Sequence, residues 1–398
     1  MHSTPALLGG TPVFDPKIPI TRPLLPAFDS VAGGVQDMLA SGMVTKGRWL
    51  RQFEDAVAAH LGVRHAVAVS SCTTGLMLTY QALGLNGEVI VPSFTFMATI
   101  SALAWNGLRP VFVDVDPATT NMDPAAAARA ITPRTSAIVA VHNFGVPADI
   151  AALEALAARH NLPLIFDAAH GFGALYDGRP VGAQGNAQVF SLSPTKLLIA
   201  GEGGIVATND DALAEAVRVG REYGNTGDYD SRFAGMNARM AEFNAYMGLR
   251  SLEMLETAAE HRNHIATLLR RELGNLPGIS FQAVRPQDRS SYKDFAITVD
   301  PDAFGLARDA LALALDAEGV DTRKYYDPPC HRHTAYRQFA PPEETLSSTN
   351  LLAARSLSLP IWSHMSEAVA LDICSAIERV WQHADAIGAA VAAVSAAP

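Results

Sequence analysis

Lys196 is the one charged side chain in VFSLSPTKLLIA, residues 189–200, and its next charged neighbour is Glu202. A lysine at a strand end can snorkel into solvent, with the glycines of GEGG turning the chain back. An isolated amine can also be a nucleophile, forming a Schiff base with an aldehyde in a desolvated pocket. Asp167 closes the apolar run LPLIFD and is followed by AAHGFG. Such a carboxylate can cap a turn, or it can hold a pyridine nitrogen protonated so that the ring becomes an electron sink. SSCTTGL, residues 70–76, follows HAVAV and enters a helical pattern. Its hydroxyls and free amides suit an N-cap and a phosphate group equally well. Phe94 and Phe96 of EVIVPSFTFMAT are either core residues or a cover for a flat ligand. Amine, carboxylate, helix N-terminus and aromatic face together match a pyridoxal 5′-phosphate site.

Other chemistries find less support. There is no GxxxxGK[ST] loop, no GxGxxG after the first strand, and no GxSxG or HExxH. CHRH at 330–333 and HRNH at 261–264 lack a second cluster at ligand spacing, so no metal site is expected. Cys72, Cys330 and Cys374 lie far apart without a CxxC pair, which argues against a disulfide framework and for a cytoplasmic, reducing location. A net charge of -10 offers neither nucleic acid nor an anionic membrane a basic surface, leaving small molecules as the expected partners. The uncharged stretches 66–87 and 89–108 are interrupted by Ser70, Gln81, Pro92 and Asn106 and read as buried elements, not spans. MHSTPALLGGTPVFD lacks the basic and apolar segments of a secretion signal.

The elements that must position these residues alternate along the chain. HAVAVS, EVIVP, RPVFVDV, TSAIVAVH, LPLIFDAA, AQVFSL and GGIVATN are near-continuous apolar runs, as expected of strands buried on both faces. Helical stretches such as DPAAAARAI, with Asp123 as cap and Pro124 in the first turn, and AALEALAARH separate them. This predicts an α/β fold with a mostly parallel seven-stranded sheet, which collects ligands at the C-terminal ends of its strands. Residues 211–275 read as mostly helical, with the glycine-rich, polar GNTGDYDSRFAG, residues 224–235, as a loop able to project outward. Beyond 276, FAITVD, a helix through LARDALALALDAEGV and the proline-rich YYDPPCHRH point to a smaller α/β domain. The expected organisation is an N-terminal arm (1–30) packed on a small C-terminal domain (261–398), with a large cofactor-binding domain (31–260) between them.

TKGRWLRQFE, AVSSCTTGL, EVIVPSFTFMAT, PVFVDVDPAT, FDAAHGFGA, FSLSPTKLLIAGEGG, GMNARMAEF and TRKYYDPPCH give the chain a resemblance to the DegT/StrS family of pyridoxal-phosphate-dependent sugar aminotransferases. The resemblance runs over nearly the whole length and implies aminotransferase fold type I. Through GGTPVFDP, NGEVIVPSFTF and TRKYYDPPCH it is similar in particular to 4-aminotransferases acting on dTDP-4-keto-6-deoxyglucose in desosamine-type deoxysugar pathways. Carried over, Lys196 is the Schiff-base lysine and Asp167 the pyridinium partner. His170 stands near the cofactor hydroxyl, Phe96 stacks on the ring, and Cys72, Thr73 and Ser191 hold the phosphate. Asn237 reaches the phosphate of a neighbouring subunit, implying a homodimer with shared sites; alternatively it caps a helix beginning near Ala238. The family's common pattern is altered at Ser193, which replaces a histidine, at Cys72, and in AEFNAYMG.

The implied reaction is ping-pong transfer of an amino group from L-glutamate to a nucleotide-linked 4-keto-6-deoxyhexose, with Lys196 as general base and acid. Arg239, Arg323 and Tyr325, with Lys324, Arg332 and Arg337, are candidates for the sugar nucleotide; solvated surface charge is the competing reading for Arg332 and Arg337. The alternatives are amination of a cyclitol ketone or of a 3-keto sugar nucleotide. A dehydratase of this family would carry His at position 196, and a non-catalytic regulator would have no need of Lys196 and Asp167 together.

Overall fold

The computed structural model describes residues 4–395. Strands β1 (His65–Val69), β2 (Glu88–Pro92), β3 (Arg109–Val113), β4 (Thr135–Val141), β5 (Leu164–Asp167), β6 (Ala187–Ser191) and β7 (Gly204–Thr208) form a seven-stranded sheet ordered β1-β7-β6-β5-β4-β2-β3. β7 is antiparallel to both neighbours, and the other pairs are parallel. Successive side chains of each strand face opposite ways, so the apolar runs serve two cores. Phe166 and Phe190 pack on one face with Phe53 and Leu153, while Ile165 and Val189 pack on the other with Leu76 and Ile100. Both faces are covered, as the unbroken apolar runs require.

The expected helices form, and their starts are chemically legible. Asp123 accepts from the amides of Ala125 and Ala126 at 2.8 and 3.1 Å at the head of Pro124–Ala130. Helix Cys72–Ala82 opens with a reciprocal cap: Ser71 Oγ accepts from Thr74 N, and Thr74 Oγ1 from Ser71 N, both at 3.1 Å. A different device starts helix Arg48–Leu61. Its cap residue is Gly47, and Glu242, distant in sequence and buried, accepts from the amides of Gly47, Trp49 and Leu50 at 2.9–3.0 Å.

The stretch 211–275 is less helical than its composition predicts. Helix Asp211–Gly220 stops, and the next begins only at Glu242. Between them, Tyr223, Gly224, Gly227 and Tyr229 have positive φ, which no helix accommodates.

Beyond helix Leu255–Leu273, strands β8 (Ile279–Phe281), β9 (Phe295–Val299) and β10 (Ser356–Leu359) make a small antiparallel sheet. It encloses a separate core of Leu269, Ile297, Leu311 and Ile377, which Ile18 joins from the N-terminal segment. That segment is anchored by Glu318, which is fully buried and receives the amides of Ala6 and Val13 and the guanidinium of Arg379. The first α-helix, Phe28–Ser41, begins just before the expected end of the arm. Helix Leu255–Leu273 contributes Leu255 and Ala259 to the sheet core and Ile265 to Leu273 to the other. Among the described residues no helix is long and apolar enough to cross a membrane.

Candidate active site

Asp167 is the last residue of β5 and is buried. Thr99 Oγ1 donates to its Oδ2 at 2.7 Å, and the Ala169 amide donates to Oδ1 at 3.1 Å. Burial pushes the carboxyl group above the usual carboxylate range, while Thr99, Ala169 and the charge of Lys196 pull the other way. The Cys72 thiol lies 3.8 Å from Oδ1 and donates to Val189 O at 3.4 Å. Burial, and then the charge of Asp167, raise it well above an ordinary thiol, so it stays protonated and inert.

Lys196 sits in the crossing between β6 and β7, its amide bonded to Ser193 O at 3.0 Å. Burial, and then the neighbouring Lys293 ammonium, lower its amine to about 8, while Asp294, Cys72 and Asp167 oppose. The amine therefore lies within electrostatic reach of Asp167, as the proposed chemistry requires. It is not isolated in space: Lys293 and Asp294, far along the chain, share its surroundings. His170 follows β5; burial and then Lys196 push its ring well below the normal histidine range, leaving it neutral. Its Nδ1 is buried without a hydrogen-bond partner, while its carbonyl accepts from Ser291 Oγ at 2.7 Å.

The N-terminus of helix Cys72–Ala82 lies at the same end of the sheet. Ser71 occupies the Thr74 amide, and the amides of Cys72 and Thr73 lie in the first turn, where no intrahelical acceptor exists. Gly204, the register partner of Ser191, allows this approach: a Cβ there would come within 2.5 Å of Ser71 C and 2.6 Å of Cys72 N. Cys72, Thr73 and Ser191 thus gather around one helix start. Phe94 and Phe96 part company. Phe94 is buried, packing edge-on against Phe144 and Tyr326, whereas Phe96 is 50% exposed at the head of helix Met97–Trp105.

Phe96 opens onto a cleft of about 630 Å³, lined also by Arg323, Lys324, Tyr325, Tyr326, Arg332 and His333. The expected cations are present there but engaged. Arg323 is bonded to Asp321, Lys324 to Asp309 at 2.7 Å, and Arg332 to Glu343 at 3.2 Å. Arg337 and Arg239 do not line this cleft. Arg239 pairs with Glu222 at 3.2 Å and lies over the Tyr223 ring. A larger cavity, about 840 Å³, opens beyond β3 around Asp114, Arg129 and Arg285; Lys196 and Asp167 line neither opening. The smaller one is the opening lined by Phe96, which heads the helix that carries Thr99 to Asp167.

Asn237 does not cap a helix. The following helix begins at Glu242, and Asn237 is exposed on an isolated bridge with Glu222, at the base of a loop whose Tyr229 is 99% exposed. Among the described residues neither histidine motif gathers ligands: His261 bonds Met365 O and His264 pairs with Glu367, while Cys330 donates to Thr95 O and His331 bonds Ser93.

Sequence reading missed Thr99, Ser291, Lys293 and Asp294. Thr99 had a signal, since Thr95 and Thr99 are four residues apart in EVIVPSFTFMAT and their hydroxyls meet at 3.1 Å. Lys293 and Asp294 stand as opposite charges at the entry to the apolar run FAITV. Pyridoxal phosphate fits the residues present. The orphaned His170 Nδ1 calls for a polar partner, Asp167 is costly to charge without a cationic one, and Phe96 offers an uncovered face beside free helix amides.

The model of the DegT/DnrJ/EryC1/StrS aminotransferase family matches residues 29–378. The chain is 37% identical to dTDP-3-amino-3,4,6-trideoxy-alpha-D-glucose transaminase of Streptomyces venezuelae over 86% of its own length and 90% of that relative. It is 38% identical to the erythromycin biosynthesis sensory transduction protein EryC1 of Saccharopolyspora erythraea, covering 84% and 90% of the two chains. The crystal structure of DesI in the presence of its TDP-sugar product superposes with a TM-score of 0.88 at 39% identity, over 95% of this chain and 96% of that one.

Proposed function

The chain belongs to the DegT/DnrJ/EryC1/StrS aminotransferase family and is a pyridoxal-phosphate-dependent sugar aminotransferase; from that premise we propose that it moves an amino group from L-glutamate to a nucleotide-linked 4-keto-6-deoxyhexose. The observation that carries this reading is the cleft joining Phe96 to the segment TRKYYDPPCHRH. The N-terminal arm supports the start of that segment. Ile18 bridges to Val320, and Asp321 receives the Ile20 amide through one oxygen and Arg323 through the other. The likeness to a structure solved with a TDP-sugar product supports a nucleotide-linked acceptor.

When bound, pyridoxal phosphate supplies a carbonyl for the amino group and a ring that delocalises negative charge. The protein residues do the rest. Asp167, oriented by Thr99 and the Ala169 amide, keeps the ring nitrogen protonated. His170 would meet the ring hydroxyl, Phe96 would cover the ring, and Cys72, Thr73 and Ser191 would hold the phosphate, with Asn237 contributed by the other subunit of a dimer. Lys196 Nζ, whose proton burial makes easier to lose, takes the proton from the α-carbon of the donor and returns it in the second half-reaction. Arg323 and Tyr325 meet the sugar nucleotide in the cleft. The Arg323 side chain is 44% exposed, and exposed ion pairs are worth only about 0–1 kcal/mol, so a diphosphate can displace Asp321. Arg239, two residues beyond Asn237, is assigned to the shared face. The proposed division is an arm (1–30), a large domain (31–260) and a small domain (261–398).

The relative named as a 3-amino-sugar transaminase supports a second reading, a 3-keto acceptor. The test is single-turnover amination by the cofactor's amine form against a 4-keto-6-deoxyhexose nucleotide, its 3-keto isomer and an inosose. The 4-keto compound is expected to react fastest; efficient turnover of either other substrate without it would overturn the reading.

A further inference from the structure

Segment 290–294 enters the site between the two cores and is held along its length. Asn263 donates to Ser290 O at 2.8 Å, Ser291 N to Gly145 O at 3.0 Å, and Ser291 Oγ to His170 O at 2.7 Å. The buried Arg262 donates to the carbonyls of Tyr292 and Lys293 at 2.9 and 3.2 Å. These bonds present a buried ion pair: Lys293 Nζ donates to Asp294 Oδ1 at 2.8 Å, with the two side chains 8% and 5% exposed. The ammonium lies 5.8 Å from the centre of the Tyr325 ring, a wall of the cleft, and its charge acts on Lys196 and His170. The pair is thus buried behind Tyr325, within electrostatic reach of the cofactor residues, and is not itself part of the cleft wall.

Its hydrogen-bonding capacity is only partly used. An ammonium has three donors and a carboxylate two oxygens. Among the described residues, the bond between the two is the one found for the Lys293 ammonium, and Asp294 Oδ2 is buried with no partner. A buried ion pair with an unsatisfied oxygen is costlier than an apolar pair of the same size, unless a ligand completes it. The charges select the ligand. A carboxylate would be repelled by Asp294 and an ammonium by Lys293, whereas neighbouring hydroxyls offer one acceptor and one donor.

We propose that Lys293 and Asp294 form the subsite that reads two vicinal ring hydroxyls of the acceptor hexose, Lys293 donating to one oxygen and Asp294 Oδ2 accepting from the other hydroxyl. This rests on the 4-keto reading above, in which the C2 and C3 hydroxyls are vicinal.

The test begins with the wild-type holoenzyme, so it does not depend on a variant folding. In its amine form, the 2-deoxy and 3-deoxy analogues of the 4-keto substrate should lose about 10- to 100-fold in kcat/KM. Calorimetric titration with the matching aminated product nucleotides should show affinities in the same order. Lys293→Met and Asp294→Asn should each reproduce a similar loss with the parent sugar, lose little more with the analogue lacking the partner hydroxyl, and slow the sugar half-reaction more than the glutamate half-reaction. Turnover of the parent sugar with both analogues accepted within about two-fold would overturn the subsite alone. Equal losses in both half-reactions would do the same. Absence of turnover with the parent sugar would overturn the functional reading, and the subsite with it.

Discussion

A lysine that burial lowers to about 8 behaves differently from a surface lysine in two measurable ways. In the cofactor-free protein, capture of pyridoxal phosphate should rise with pH through a midpoint near 8, followed by absorbance; a midpoint near 10.5 would contradict the desolvated pocket. Stability follows the same titration. The folded chain binds fewer protons than the unfolded chain between about 8 and 10.5, so Lys196 destabilises the cofactor-free fold fully below 8 and progressively less as pH rises through that window. Borohydride reduction of the holoenzyme, followed by peptide mapping, should place the cofactor on Lys196. On the proposed assignment, Asp167→Asn removes the charge that keeps the ring nitrogen protonated but leaves the residues proposed for the phosphate and for stacking untouched. Single-turnover rates with glutamate should fall on the order of 10²–10³-fold with a smaller change in cofactor affinity. Near-normal rates would refute the assignment.

At the scale of elements, two helix starts do different work. Ser71→Ala removes the cap of helix Cys72–Ala82 and should cost about 1 kcal/mol in urea unfolding; if this helix start holds the cofactor phosphate, pyridoxal phosphate binding should weaken as well. Glu242→Ala strands three amides at the head of helix Arg48–Leu61 in a buried position. Its expected cost is about 3 kcal/mol or more, and a loss as small as that of Ser71→Ala would mean that water replaces the carboxylate. The Ser71 cap was legible in SSCTTGL because donor and acceptor lie three residues apart. The Glu242 cap was not, because its partners lie in another part of the chain and meet it only in the fold. The strands were readable from apolar runs buried on both faces, and a loop from the glycine-rich GNTGDYDSRFAG; that the break runs on from Gly220 to Glu242 was not readable, because the flanking composition resembles helix.

For the whole molecule, the exposed Asn237 is the test of assembly. Among the described residues its side chain has no hydrogen-bond partner, and it lies beside a loop that carries Tyr229 into solvent. If Asn237 serves the partner subunit's site, Lys196→Ala and Asn237→Ala should complement when co-expressed. The mixed dimer then has one doubly damaged site and one with both residues intact. Recovery of activity absent from either homodimer is the expected result, with light scattering confirming the dimer. No recovery from two clearly impaired variants would place Asn237 in its own chain's service.

Lys196, Asp167, Ser191 and the helix start at Cys72 could be read in the sequence because each closes or follows a buried apolar run, and local pattern determines where such runs end. The α/β class followed from the same runs. Tertiary structure decided which residues share a space. It separated Phe94 from Phe96, paired Arg323 with Asp321 and Arg239 with Glu222, and brought Thr99 to Asp167. It also carried Lys293 and Asp294 to the pocket of a lysine that looked solitary in the sequence. The physical reason is that apolar periodicity is repeated along the chain and survives in one dimension, whereas a charge finds its partner through a single contact between segments that only packing brings together.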